Sequence, residues 1–99
     1  MAKYEINVYD ERTGEIEKTL TRNFMPSSLF IEYQRFSEKI LADEFKTGEE
    51  LISALKPLML ATFPELTEKD FDEKTDASEI YAIYAKVVKK TFSLNEKNS

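Results

Sequence analysis

Residue types that build common catalytic sites are missing from this sequence. It contains no cysteine and no histidine. The chain therefore cannot form disulfides, thiolate nucleophiles, imidazole general bases or the usual zinc sites. These absences predict a protein that is not an enzyme and that holds no metal and no cofactor.

Residues that interrupt regular structure are also scarce, with two glycines and three prolines in 99 residues. This length is typical of one domain with one core. Residues 93–99 carry no apolar periodicity, which is common in frayed termini. We predict a single domain over residues 1–92 and a disordered polar tail over residues 93–99.

Long apolar runs and positive charge are lacking as well. No run approaches the roughly 20 apolar residues of a membrane span, and the first residues have no signal-peptide core. The formal net charge is −5, whereas binding to a phosphate backbone requires clustered Lys or Arg. We expect a cytoplasmic protein that binds neither membranes nor nucleic acid.

The first part of the chain has the two-residue period of β-strands. Strands are predicted over Tyr4–Tyr9 and Glu15–Thr21, joined by a turn at Asp10–Gly14 in which Gly14 can adopt a positive φ. An isolated hairpin is marginal in water, so its apolar face must lie on a helix or extend a partner's sheet. The positions predicted to share that face are Tyr4, Ile6, Val8, Ile16, Lys18 and Leu20.

The rest of the chain has the period of amphipathic helices, which predicts an α+β fold. Three main helices are expected over about 26–43, 48–63 and 77–92, with a short helical turn near 67–72. Capping boxes at Thr47–Glu50 and Asp76–Glu79 mark two of the starts. Pro57 lies inside the second helix, where we expect a kink or a break.

The acidic stretch over residues 65–79 does not match a calcium loop. With Asp70 as the first ligand, Thr75 occupies the position that requires glycine, and Tyr81 occupies that of the bidentate glutamate. Caps and solvated charge around a short helix explain these acids better. No pair of carboxylates is marked for acid and base chemistry either.

Aromatic residues are more numerous on two helices than one core-facing side requires. Most of the chain's aromatics are expected in the core. The first helix nevertheless has apolar residues beside its core stripe, and so does the last. Surplus apolar area on a small acidic domain indicates a partner-binding or self-association surface, so a homo-oligomer is possible. The candidate partner-binding residues are Phe24, Met25, Phe30, Ile31, Tyr33 and Tyr81.

The run Lys18-Thr19-Leu20-Thr21-Arg22-Asn23-Phe24-Met25-Pro26, followed by Ser28-Leu29-Phe30 and Tyr33, resembles the tail assembly chaperones of siphophages and of prophages of Gram-positive bacteria. The resemblance implies a protein that binds the helical tape measure protein and keeps it soluble until the tail tube polymerises. It also implies that a frameshifted longer form recruits tail tube protein. Such a chaperone acts in the host bacterial cytoplasm and is not expected in the mature virion.

Two other functions fit the same sequence. An acidic protein of this size could mimic nucleic acid and inhibit a host DNA-binding protein, and its affinity would then fall steeply with salt. Alternatively, the chain could be a minor structural component of the tail or of head completion, which would be found in purified virions.

Overall fold

The computed structural model describes residues 4–98, and side chains from residue 4 to residue 89. It contains a two-stranded antiparallel hairpin followed by four helices, which confirms the predicted α+β class. The elements are β1 (Tyr4–Tyr9), β2 (Ile16–Arg22), α1 (Ser27–Leu41), α2 (Gly48–Thr62), α3 (Glu68–Lys74) and α4 (Ala77–Asn98).

The hairpin turn is held by the side chain of Asp10. One of its carboxylate oxygens accepts the N–H groups of Arg12 at 2.8 Å and Thr13 at 3.0 Å. Gly14 follows with φ of 75°, a conformation in which a Cβ atom would be strained. These bonds also lower the pKa of the Asp10 carboxyl, because they stabilise its ionised form.

The predicted apolar face is correct for β1 and wrong for most of β2. Tyr4, Ile6 and Val8 are buried, whereas Leu20 is the one buried residue in β2 and Ile16 is 55% exposed. The ladder pairs Ile6 with Leu20, but its register shifts between Val8 and Tyr9. Helices α3 and α4 pack on β1, so the outer strand is left largely in solvent.

Helix α1 begins and ends slightly inside its predicted limits. Pro26 is the N-cap, with ψ of 145°, and its carbonyl accepts the N–H of Phe30. At the other end Asp43 adopts φ of 57° and donates to Ile40 O, while Glu44 donates to Lys39 O. This is a Schellman C-cap with an aspartate in the left-handed position that glycine usually occupies.

Helix α2 starts at the predicted cap and continues past its proline. The Thr47 hydroxyl accepts the N–H of Glu50 at 3.1 Å. The Glu50 carboxylate accepts the N–H of Lys46, one residue before the expected partner. Pro57 is inside the helix, yet Gly48–Thr62 is one element, so the helix does not break there, and the kink stays a prediction. Pro57 and Ser53 are exposed, so the hydrogen bond that Pro57 cannot donate to the Ser53 carbonyl is missing on the solvent side of α2.

The predicted turn near 67–72 is a seven-residue helix, α3, capped by the Thr67 hydroxyl. Helix α4 begins where predicted, with the Asp76 carboxylate accepting the N–H of Ser78 at 2.8 Å. Its end at Asn98 lies beyond the predicted limit of residue 92, since residues 93–98 include neither Gly nor Pro to stop a helix. The disorder of residues 93–99 stays a prediction, and side chains beyond residue 89 are outside the described set.

One core joins the inner face of β1 to all four helices. Helix α1 packs on α2 and α4, where three aromatic contacts fill the junction. Phe36 stacks on Phe45 with ring centroids 5.1 Å apart and meets Tyr84 edge-on at 5.3 Å. The N-terminus of α4 is tied to β1 by Glu79, whose carboxylate accepts the N–H of Asn7 and the hydroxyl of Tyr9. This packing leaves the outer side and both ends of α1 uncovered.

Candidate protein-binding surface

Exposed apolar side chains are concentrated on helix α1 and the residues just before it. Among the described side chains, five large hydrophobic residues are exposed, and one of them, Ile16, lies outside this segment on the hairpin. The others are Phe24, Ile31, Ile40 and Leu41, with Phe24 62% exposed and Leu41 80% exposed. Single exposed apolar residues are ordinary. Ile31 and Ile40 are nine positions apart on α1 and face opposite sides of the helix, so these residues offer apolar contacts on two sides of α1 and not one contiguous patch.

The six predicted partner-binding residues do not form one patch. Phe24 and Ile31 are exposed, and Ile31 is 48% accessible. Met25, Phe30 and Tyr81 are partly buried against the core, so each offers only part of its surface.

The prediction that Tyr33 binds a partner is wrong, because its side chain is fully buried and cannot contact one. It lies four residues after Leu29 and three before Phe36, and all three share the buried stripe of α1. The Tyr33 hydroxyl lies 2.8 Å from the hydroxyl of Thr62, which donates to the carbonyl of Leu58. Tyr33 is therefore the donor to Thr62. Burial raises the pKa of the Tyr33 phenol from 10.0 to about 12.

Phe24 contacts Arg22 at the end of β2. The guanidinium carbon lies 5.4 Å from the centroid of the Phe24 ring, and Nε donates to the Phe24 carbonyl. The same guanidinium donates to the carbonyls of Ala61 at 3.4 Å and Thr62 at 3.1 Å. Because those carbonyls belong to the last turn of α2, the cation also stabilises the C-terminus of that helix.

A second apolar surface lies at the other end of α1, where the sequence did not predict one. It is an open groove between the α1–α2 connection and the outer side of α2. Phe45 forms an apolar wall, and the small side chains of Ser53 and Ala54 form the floor. We call this the acid-rimmed groove. Its lining residues are Glu44, Phe45, Glu49, Glu50, Ser53 and Ala54.

In the acidic stretch over residues 65–79, several carboxylates form ion pairs or cap a helix. The carboxylate of Asp70 lies 3.6 Å from Lys18, and that of Asp72 lies 3.0 Å from Lys56. Asp76 caps α4, and the hydrogen bonds that it accepts from Ser78 lower the pKa of its carboxyl. Over the described residues, no three potential ligands are close enough to hold a metal ion together.

A membrane-spanning helix is absent from the described part of the chain, where every helix is too short or too polar. Catalytic geometry is not apparent in the candidate surface, which is built from aromatic and aliphatic side chains with carboxylates at its edge. The arrangement can bind another protein by apolar contact and by charge.

Comparison of the chain with protein-family models, with curated proteins and with solved structures finds no match.

Proposed function

We propose that this chain is a phage tail assembly chaperone that binds the tape measure protein and keeps it soluble until the tail tube polymerises. One observation carries the proposal. Four exposed large apolar side chains lie on residues 24–41, next to and partly within the run that resembles the chaperone family. Phe24 and Ile31 lie within the stretch from Lys18 to Tyr33 that carries the resemblance, whereas Ile40 and Leu41 lie beyond it.

The physical chemistry of such a client matches this surface. A long helical protein that is not yet enclosed by its tube exposes apolar stripes, which aggregate in water unless they are covered. Exposed residues such as Phe24 and Leu41 can cover apolar helical surface. The net charge of −5 favours the solubility of the chaperone itself.

The proposal extends to the location and the other partner. The chaperone acts in the host bacterial cytoplasm and leaves before the virion is complete. Tail tube protein is recruited through a longer, frameshifted form of the chain. Neither role requires a catalytic residue, a metal or a cofactor.

Co-expression with the tape measure protein encoded by the same phage or prophage tests the proposal. The wild-type chain should keep the client in the soluble fraction and co-purify with it, while purified virions should lack the chain. A client that remains insoluble and unbound would refute chaperoning. Recovery of the chain from virions would point to a structural component instead.

Paired variants locate the binding surface. Ile31→Asp places a charge on the outer side of α1, and Phe24→Asp does so at its start. Ile16→Asp is the matched control, since Ile16 is similarly exposed but lies on the hairpin. Client recovery should fall in the first two variants and not in the control, with circular dichroism showing that all three fold. Equal recovery in all three would exclude residues 24–31 as the contact.

A further inference from the structure

The acid-rimmed groove is an open, shallow depression that runs along α2. Glu49 and Ser53 are four residues apart on α2, as are Glu50 and Ala54, so the floor follows one face of that helix. Small side chains in the middle of the face allow another backbone to approach closely. The Phe45 ring stacks on Phe36, which orients it at the edge of the groove.

The charge around the groove favours a basic partner. Residues 38–50 contain five carboxylates and two lysines, a net charge of −3 out of the chain's −5. Lys46 is occupied by Asp43 at 2.9 Å. Within the described part of the chain, Glu44 and Glu49 have no ion pair of their own. Two carboxylates at the edge of an apolar floor are therefore available to cations from outside.

A backbone group of one lining residue also lacks its usual donor. Pro57 has no amide hydrogen, so the carbonyl of Ser53 does not receive the helical i to i−4 bond. Ser53 is exposed and lines the groove. A carbonyl left without its donor is a natural acceptor for a lysine or arginine side chain.

From these three features we infer that the acid-rimmed groove binds an amphipathic helix of the client whose apolar stripe is flanked by Lys or Arg. The apolar stripe packs on Phe45 and Ala54, while the flanking cations pair with Glu44 and Glu49. This inference rests on the proposed function, because it names the chemistry of the client segment that the chaperone holds.

A designed peptide tests the groove without the full client. The probe is an 18-residue amphipathic helix with a leucine stripe, one tryptophan in that stripe and lysines on both flanks. The chain itself has no tryptophan, so emission near 340 nm reports only the peptide. The lysine peptide should bind with a blue shift of its tryptophan emission. A reference peptide with glutamate at every lysine position should bind more weakly.

Charge variants test the rim. Glu44→Gln with Glu49→Gln should raise the Kd for the lysine peptide about five-fold, as expected for the loss of two exposed ion pairs. The control is Glu65→Gln with Glu73→Gln, which makes the same charge change at exposed sites away from the groove. Its Kd should stay within about two-fold of the wild type, in the range of a general charge effect.

A shape variant tests the floor. Ser53→Tyr fills the groove from an exposed position and should weaken peptide binding about ten-fold or more, since the helix can no longer approach α2. Ala82→Tyr, on an exposed position of α4, is the matched control and should bind like the wild type.

Two results would overturn the inference. One is a Kd that changes no more in the groove variants than in their controls, and the other is tighter binding of the glutamate peptide than of the lysine peptide. Neither result would by itself refute the proposed function. Co-expression of the groove variants with the full client would still show whether the chain keeps the client soluble by another surface.

Discussion

The buried tyrosine of α1 provides the sharpest test of the structure. Replacing Tyr33 with Phe removes one hydroxyl from the core and leaves the ring. The Thr62 hydroxyl keeps its bond to the Leu58 carbonyl, so no buried donor loses its acceptor. At pH 8 the variant should lose about 1 kcal/mol of unfolding free energy, the usual value of one hydrogen bond.

Alkaline pH should remove this difference. The Tyr33 phenol has a pKa of about 12 when folded, whereas the ordinary value is 10.0. Between these values the unfolded chain loses the phenolic proton and the folded chain retains it, so the stability of the wild type falls as pH rises. At pH 11 the loss is about 1.4 kcal/mol, or ten-fold in the unfolding equilibrium. The Phe variant has no such proton and should equal or slightly exceed the wild type there.

Urea unfolding followed by circular dichroism at pH 8, 10 and 11 measures the difference between the two proteins. The effects of high pH on the rest of the chain are present in both proteins, so they largely cancel. The reasoning fails if the difference in unfolding free energy is the same at pH 8 and pH 11. Because Tyr33 cannot reach a partner, the variant should also bind the client as the wild type does.

Three further substitutions test other parts of the fold. Asp43→Gly removes the strain of a non-glycine residue at positive φ and should raise the unfolding free energy by about 0.5–1 kcal/mol, whereas Asp43→Ala should lower it. A lower urea midpoint for the glycine variant would contradict this. Arg22→Lys cannot reproduce the forked contacts with three carbonyls and should cost about 1–2 kcal/mol, which an unchanged melting temperature would disprove. Pro57→Ala restores a donor to the Ser53 carbonyl and should raise the unfolding free energy by about 1 kcal/mol or more. In the same variant the Kd for the lysine peptide should rise about two-fold, because one acceptor is taken; tighter binding would count against the groove.

Local signals in the sequence were sufficient for the order of the main elements. The cap at Thr47 and the alternation in Tyr4–Tyr9 each depend on residues a few positions apart, and the structure contains both as predicted. The burial of Tyr33 was also readable, since it continues the spacing of Leu29 and Phe36. Tyr33 was nevertheless included in the predicted surface, because it lies among other aromatic residues in the sequence.

Features that depend on tertiary contacts could not be read in the same way. The exposure of Ile16 follows from the outer position of β2 and from a shift in register, neither of which alternation reveals. The acid-rimmed groove forms where the α1–α2 connection places Phe45 beside α2. The hydrophobic period of a helix does not determine its angle to a neighbouring helix, so the groove could not be predicted from the sequence.

The contacts of Arg22 have a consequence for the entropy of association. Its guanidinium joins the end of the hairpin to the last turn of α2 and lies against the Phe24 ring, so this exposed aromatic has fewer rotamers open to it before a partner arrives. Ordering a free side chain on binding costs about 0.5–1.5 kcal/mol, and the contact with Arg22 reduces this cost for Phe24. If Phe24 is a contact residue as proposed, Arg22→Ala should therefore weaken binding even though Arg22 itself need not touch the partner.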